Sequence, residues 1–354
     1  MTSFVAPLRL HGVHASPYTR KALAALRYRR IPYRFIIGQP GLLTDSGHVD
    51  ADALPLAKPI LLPTFYRVDA DGKDQAVTDT TPILEQLDRD FTDRSVHPDE
   101  PILNFINHVL EDYADEWLTR CMFHFRWAFA ADIDKAGTVL PFYSASKLPP
   151  DQAAQFKSLI SERQVGRLHF VGSNDITAPV IENSYVRFLQ LFETHLQSHA
   201  YLLGERPSSC DFATFGQLTC LTHFDPTAMA LTLAHSPRTY AWTGRVEDLC
   251  GYEIEADDWF DVDKLPESLI ALLGEVARTH MPQLIANARA LNAGEKTVET
   301  TIDNLPWTQP SFPYQGKCLM WIRERFAALS DDNQSATREI LDRCGLLPLV
   351  DEKL

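Results

Sequence analysis

Apolar positions at the start of the chain switch between two periods. Residues 8–12 (LRLHG) read as a short strand, and Ala22, Leu23, Ala25 and Leu26 then recur at helical spacing, with Lys21, Arg27 and Arg29 on the polar side. Ser16-Pro17 supplies a hydroxyl N-cap and a proline at the first helical position, and Pro32 ends the helix. Residues 33–37 (YRFII) predict a second strand, making the opening a βαβ unit. After a Gly/Pro-rich loop, residues 62–68 predict a third strand. Asp71-Gly72 is a turn, and Gln75 to Thr78 form the return strand of a hairpin. Thr81-Pro82 repeats the hydroxyl-plus-proline helix start, with Ile83, Leu84, Leu87 and Phe91 as its apolar side. The predicted order is β-α-β, loop, β-β-α.

Beyond a linker at His97 to Pro101 the pattern turns helical. One long helix is expected from Ile102 to about Ala130, then a polar, irregular stretch at 131–180 containing Pro141, Pro149-Pro150 and Pro179. Helices follow near 181–198, 209–222 and 237–250, the second opened by a capping box from Ser208 to Asp211. The last hundred residues carry an amphipathic run through Leu269, Leu272, Val276, Leu284 and Leu291, with Pro282 interrupting it and Gly294 ending it. Two more helices are expected near 316–329 and 332–344. Three units result: an α/β unit at 1–95, an all-helical unit at 100–254 with an insertion at 131–180, and a helical extension at 255–354 packed on the second.

Charge narrows the choice of partners. Asp and Glu outnumber Lys and Arg by 47 to 33, giving a net charge of -14 spread along the chain, which disfavours nucleic acid. No apolar run approaches the ~20 residues of a membrane span, and no membrane association is expected. The six cysteines form no CxxC pair, so no zinc ribbon or dithiol motif is expected, and the carboxylates and histidines of the long helix read as a charged face rather than a metal site. The opening MTSFVAPLRLHG lacks a basic segment followed by an apolar stretch, so the expected location is the cytoplasm.

Four groups of residues, in order, resemble the glutathione transferase superfamily. They are Ser16-Pro17-Tyr18-Thr19 after the first strand, Leu62-Pro63 before the third, Asp79-Thr80 before the following helix, and Gly204-Glu205-Arg206-Pro207-Ser208-Ser209-Cys210-Asp211 opening a central helix. The resemblance covers the first 92 residues and 181–250. It implies a thioredoxin-like N-terminal domain followed by an all-helical transferase-type domain, glutathione as co-substrate, a small electrophile as second substrate, and a homodimer. Members of ordinary size lack a segment as long as 131–180 and anything like the last hundred residues. Those departures leave room for a non-catalytic, glutathione-sensing or protein-binding member, or for a glutathione-dependent isomerase, lyase or reductase.

Residue by residue, the resemblance implies that Ser16 donates to the glutathione sulfur at a helix N-terminus, favouring the thiolate. Read alone, Ser16 is a helix cap. His14 and Tyr18 are alternative donors in the same loop. Leu62, before a cis Pro63, would pair with the cysteinyl backbone, whereas an ordinary edge-strand proline is the bland alternative. Thr80 would take the γ-glutamyl carboxylate, Asp79 the amino group, and Lys58 the glycyl carboxylate. Tyr113, Trp117 and Arg120, on the long helix, would border the electrophile. Having serine rather than cysteine at position 16 argues against mixed-disulfide chemistry.

Overall fold

The computed structural model describes residues 2–40, 44–45, 53–255 and 258–353. The N-terminal unit is a five-stranded mixed sheet in the order β3-β2-β1-β4-β5. Its strands are β1 (Leu8–Gly12), β2 (Tyr33–Gly38), β3 (Thr44–Asp45), β4 (Thr64–Val68) and β5 (Asp74–Val77). β1 and β2 run parallel, with Leu8 opposite Tyr33, while β4 pairs antiparallel with both β1 and β5. Helices α1 (Pro17–Tyr28) and α2 (Thr80–Asp90) complete this thioredoxin-like unit. Ser16 caps α1, Pro17 opens it, and Ala22, Leu23, Ala25 and Leu26 are buried.

The second unit begins with α3 (Pro101–Asp112), a π-helical turn (Tyr113–Leu118) and α4 (Thr119–Ala128), together the expected long rod. Residues 131–180 depart from the irregular stretch that the sequence predicts. They are mostly helical: α5 (Ala130–Ser144), α6 (Pro150–Val165) and a 3-10 turn (Leu168–Val171). Pro141 falls near the end of α5, and Pro149 and Pro150 are the cap and first residue of α6, so the prolines punctuate helices rather than prevent them. The stretch is polar because α6 lies on the surface and buries only Ala153. Helices α7 (Ala178–His195), α8 (Ser209–His223), α9 (Pro226–His235) and α10 (Pro237–Val246) follow; α9 is an addition to the expected set. The central helix α8 carries the Ser208–Asp211 capping box and is almost wholly buried. It crosses α1 closely enough that a Cβ on Gly216 would lie 2.5 Å from the Pro17 carbonyl.

The extension is not all helix. Helices α11 (Glu267–Arg278) and α12 (His280–Asn292) break at Thr279 rather than Pro282, which sits in the first turn of α12 where its missing N–H leaves no bond unmade. A hairpin of β6 (Thr297–Ile302) and β7 (Leu305–Pro310) then replaces the expected continuation. Its two turn residues, Asp303 and Asn304, have φ of 51° and 61°, as a two-residue type I′ turn requires. The strands alternate, with Val298, Ile302, Trp307 and Gln309 inward. Helices α13 (Pro313–Ala327), α14 (Asp331–Cys344) and α15 (Pro348–Asp351) end the chain. Leu269, Leu272, Val276 and Leu284 join a core cluster that also includes residues of α1, α3, α7 and α8. Among the described residues, no helix is long and apolar enough to cross a membrane.

Candidate active site

β4 starts immediately after Leu62-Pro63, whose peptide bond is cis. This bend and the N-terminus of α2 line one cleft of about 480 Å³. One wall is Leu62, Pro63, Asp79 and Thr80; the other is Tyr18, Asp115, Glu116, Phe312 and Tyr314. Thr80 is the first residue of α2, so the free backbone amides of that helix turn give the cleft an anion-attracting end. Asp79 precedes it with φ 81°, a conformation few non-glycine residues adopt and one that clusters at ligand clamps. Its side chain makes no capping bond to α2. Instead Oδ2 accepts the Tyr314 hydroxyl at 2.9 Å. Burial raises the Asp79 pKa, opposed by the Tyr314 bond and the Lys21 charge.

The opposite wall rests on buried charge. Lys21, expected on the wet side of α1, is 1% exposed and donates from Nζ to Glu111 Oε1 at 2.7 Å and Asp115 Oδ2 at 2.6 Å. Burial pulls its ammonium toward neutrality, but Asp115 and Glu111 outweigh that and hold its pKa above the usual lysine value. The acidic face of the long helix, expected to be solvated, is therefore turned inward, because a cation from α1 meets it. Glu116 accepts from Gln315 Nε2 at 3.3 Å, and burial, reinforced by Asp112, pushes its carboxyl up to about 8.

The structure brings Leu62, Pro63, Asp79, Thr80 and Tyr18 together at one cleft. Ser16 stands apart from that lining. It is half-buried, and its Oγ accepts the Thr19 amide at 3.3 Å, with no acceptor for its own proton among the described residues. Tyr18 donates its hydroxyl to the Asp115 carbonyl at 2.7 Å, and burial, with Glu116 and Asp115 nearby, raises its pKa well above the usual value, so it is a neutral phenol. His14 packs edge-on against Phe35 and lines a different cavity, with Arg20 and His223. Lys58 is exposed and off the cleft.

Tyr113, Trp117 and Arg120 do not line this cleft; all three are core residues, at most 4% exposed. The Trp117 indole donates to Ser184 Oγ and packs against Trp307, while Arg120 donates to the Val171 carbonyl and Gln309 Oε1. The hairpin covers the helix face that the resemblance leaves open. Sequence reasoning missed Phe312 and Tyr314. Phe312-Pro313 is a helix start like Ser16-Pro17, but nothing in that pattern tells where the helix docks.

Comparison with known families gives two matches in the order that the fold requires. Residues 10–95 match the glutathione S-transferase N-terminal domain, and residues 184–249 match the glutathione S-transferase C-terminal domain. Both domains of the glutathione S-transferase superfamily are therefore matched within this chain. The matches leave residues 250–354 of this glutathione transferase relative outside, including Phe312 and Tyr314. A search of curated proteins returned no match. Among solved structures, a glutathione S-transferase from Rhodospirillum rubrum F11 is similar at 15% identity, covering 75% of this chain and 99% of its own, with a TM-score of 0.37. A glutathione S-transferase III in apo form is 17% identical, with coverages of 68% and 91% and a TM-score of 0.40. A maleylacetoacetate isomerase from Anaeromyxobacter dehalogenans 2CP-1, with bound GSH, is 14% identical, with coverages of 73% and 98% and a TM-score of 0.36.

Proposed function

We propose that the protein binds glutathione in the cleft and adds it, through its thiolate sulfur, to a small electrophile. The observation that carries this reading is the convergence of Leu62, Pro63, Asp79 and Thr80 on one cleft, although eighteen sequence positions separate its first and last members. The α2 N-terminus and Thr80 take the γ-glutamyl carboxylate, Asp79 takes the amino group, and Leu62 pairs with the cysteinyl backbone. Ser16 lies outside the cleft lining, so on this reading the cysteinyl arm extends from the cleft toward the N-terminus of α1. There the Ser16 hydroxyl, with no acceptor among the described residues, donates to the sulfur and favours the thiolate. Tyr18 does not supply a tyrosinate, since its proton is held by the Asp115 carbonyl. Cytoplasmic location and a homodimer belong to the same reading. Calorimetry tests it: the Asp79→Ala, Thr80→Ala double variant should bind glutathione at least tenfold more weakly than wild type. Equal affinity in both would remove glutathione from this cleft.

A second reading has one observation in its favour. The Tyr314 hydroxyl already occupies Asp79, so the extension competes for the group that would hold the γ-glutamyl amine. On that reading the protein senses glutathione through movement of the extension and does not turn it over. An assay with an aryl-halide acceptor separates the two: conjugation at a rate lowered by Ser16→Ala supports catalysis, whereas glutathione binding without conjugation supports sensing.

A further inference from the structure

A group of three side chains away from the cleft joins the interdomain linker to α3. His97 lies in the linker; His108 and Glu111 are three residues apart on α3 and share a face. One donor atom from each lies within 4.8 Å of the other two. His108 Nδ1 is 3.7 Å from Glu111 Oε2. Two ligands of a tetrahedral zinc ion, bonded at ~2.0–2.1 Å, stand roughly 3.3–3.4 Å apart, so this edge needs little adjustment.

Two nitrogens in the group are buried without a hydrogen-bond partner among the described residues: His97 Nε2 and His108 Nδ1. The two rings meet at a tilt of 36°, with centroids 5.3 Å apart, a contact that leaves both nitrogens without a partner. His97 is oriented from outside. Its Nδ1 meets Asp88 Oδ2 at 2.6 Å, and since a carboxylate only accepts, Nδ1 carries the proton and Nε2 presents its lone pair inward. A carboxylate behind one ring nitrogen is the arrangement that fixes the tautomer of metal-ligating histidines. Asp88 is held in turn by Ser95 Oγ at 2.6 Å and Arg29 Nη1 at 2.6 Å. Glu111 Oε1 accepts from Lys21 and Thr81, and Oε2, the oxygen facing His108, accepts the Ser209 hydroxyl at 2.7 Å, so a metal ion would share Oε2 with that hydroxyl. Arg29 is paired with Asp88 and Arg325 with Glu85.

We propose that His97, His108 and Glu111 bind a zinc-type divalent cation, with water completing the coordination, and that the cation pins the linker to α3. Two imidazoles and one carboxylate suit zinc, whereas calcium and magnesium favour all-oxygen sites. No local motif announces the site, because its members come from a loop and a helix rather than from one short run.

Cobalt titration of the metal-stripped full-length protein tests it. One equivalent of Co²⁺ should give the visible d–d bands of a four-coordinate ion, and Zn²⁺ should displace it. Zn²⁺ should also raise the Tm of wild type and leave that of His97→Gln, His108→Gln unchanged. Asp88→Asn keeps all three ligands and should weaken uptake roughly ten- to hundredfold. A wild-type protein that gives no cobalt spectrum and retains no zinc after gel filtration overturns the proposal, whatever the variants do. So does a spectrum that is unchanged in the double variant.

Discussion

The two walls of the cleft are built by different means. The wall of Leu62, Pro63, Asp79 and Thr80 is a backbone construction: a strand entered through a proline, then a helix N-terminus facing it. Its side chains come from one thioredoxin-like unit whose local signals lie within a few residues of each group. The wall of Asp115, Glu116, Phe312 and Tyr314 is a packing construction, assembled from a π-helical turn and an extension two hundred residues later. It holds because α1 sends Lys21 into a buried pair of carboxylates and because the hairpin covers Trp117 and Arg120. On the proposed function, the first wall supplies generic recognition of a peptide-like thiol. The second decides how much of that recognition is free to act.

Removing the cation behind the second wall should have the largest effect. Lys21→Met leaves Glu111 and Asp115 buried without their common partner, and breaking a buried pair in this way costs about 3–5 kcal/mol. Urea unfolding should report a loss of that size. A loss under about 1 kcal/mol would mean that the carboxylates take up protons or water at little expense, and that the wall does not depend on Lys21.

A smaller effect should follow pH. The Glu116 carboxyl is raised to about 8, so between the ordinary carboxyl range and that value the folded protein holds a proton which the unfolded chain has released. The sign follows: this group lowers stability progressively as pH rises toward 8, and its influence levels off above. Glu116→Gln removes the titration and keeps the shape. Its stability should be close to wild type near pH 4 and exceed it increasingly up to pH 8, less than a full shift implies because the side chain is only partly buried. Denaturation midpoints at four pH values would check it. Parallel curves for the two proteins would mean that Glu116 ionises normally and that the second wall carries its charge openly.

Which parts of this were legible follows from the same contrast. The β-α-β, β-β-α order, the Ser16 and Ser208 caps and the long α3-to-α4 rod were readable because each rests on neighbours in sequence. The placing of Asp79 and Thr80 at the start of a helix was readable for the same reason. Lys21, Asp115 and Glu116 were misread as solvated, since amphipathic spacing alone does not distinguish a charged surface from two charged faces that meet. The β6-β7 hairpin was missed although Thr297 to Ile302 alternates and Asp303-Asn304 suits a tight turn. Short alternating runs between strong helices are easily absorbed into the helical pattern. Tyr113, Trp117 and Arg120 were misplaced because their helix face is open only if the extension is ignored.

The finest test separates the two walls at the Tyr314–Asp79 hydrogen bond. Tyr314→Phe deletes the hydroxyl that donates to Asp79 and leaves the ring, its edge-on contact with Trp321 and the apolar lining in place. A hydrogen bond to a charged group is worth ~1.5–3 kcal/mol when dry, but Tyr314 is 36% exposed, and water replaces part of it. The thermal stability of the variant should therefore fall by no more than about 1 kcal/mol. Its glutathione affinity should rise, by roughly three- to tenfold, since the ligand amine no longer has to displace the phenol from Asp79. Calorimetry on wild type, Tyr314→Phe and Thr80→Ala measures all three on one scale, with Thr80→Ala as the variant expected to weaken binding. If Tyr314→Phe instead weakens binding as much as Thr80→Ala does, the phenol is a contact of the bound ligand. The extension would then complete the site, and the competition between the walls would have to be abandoned.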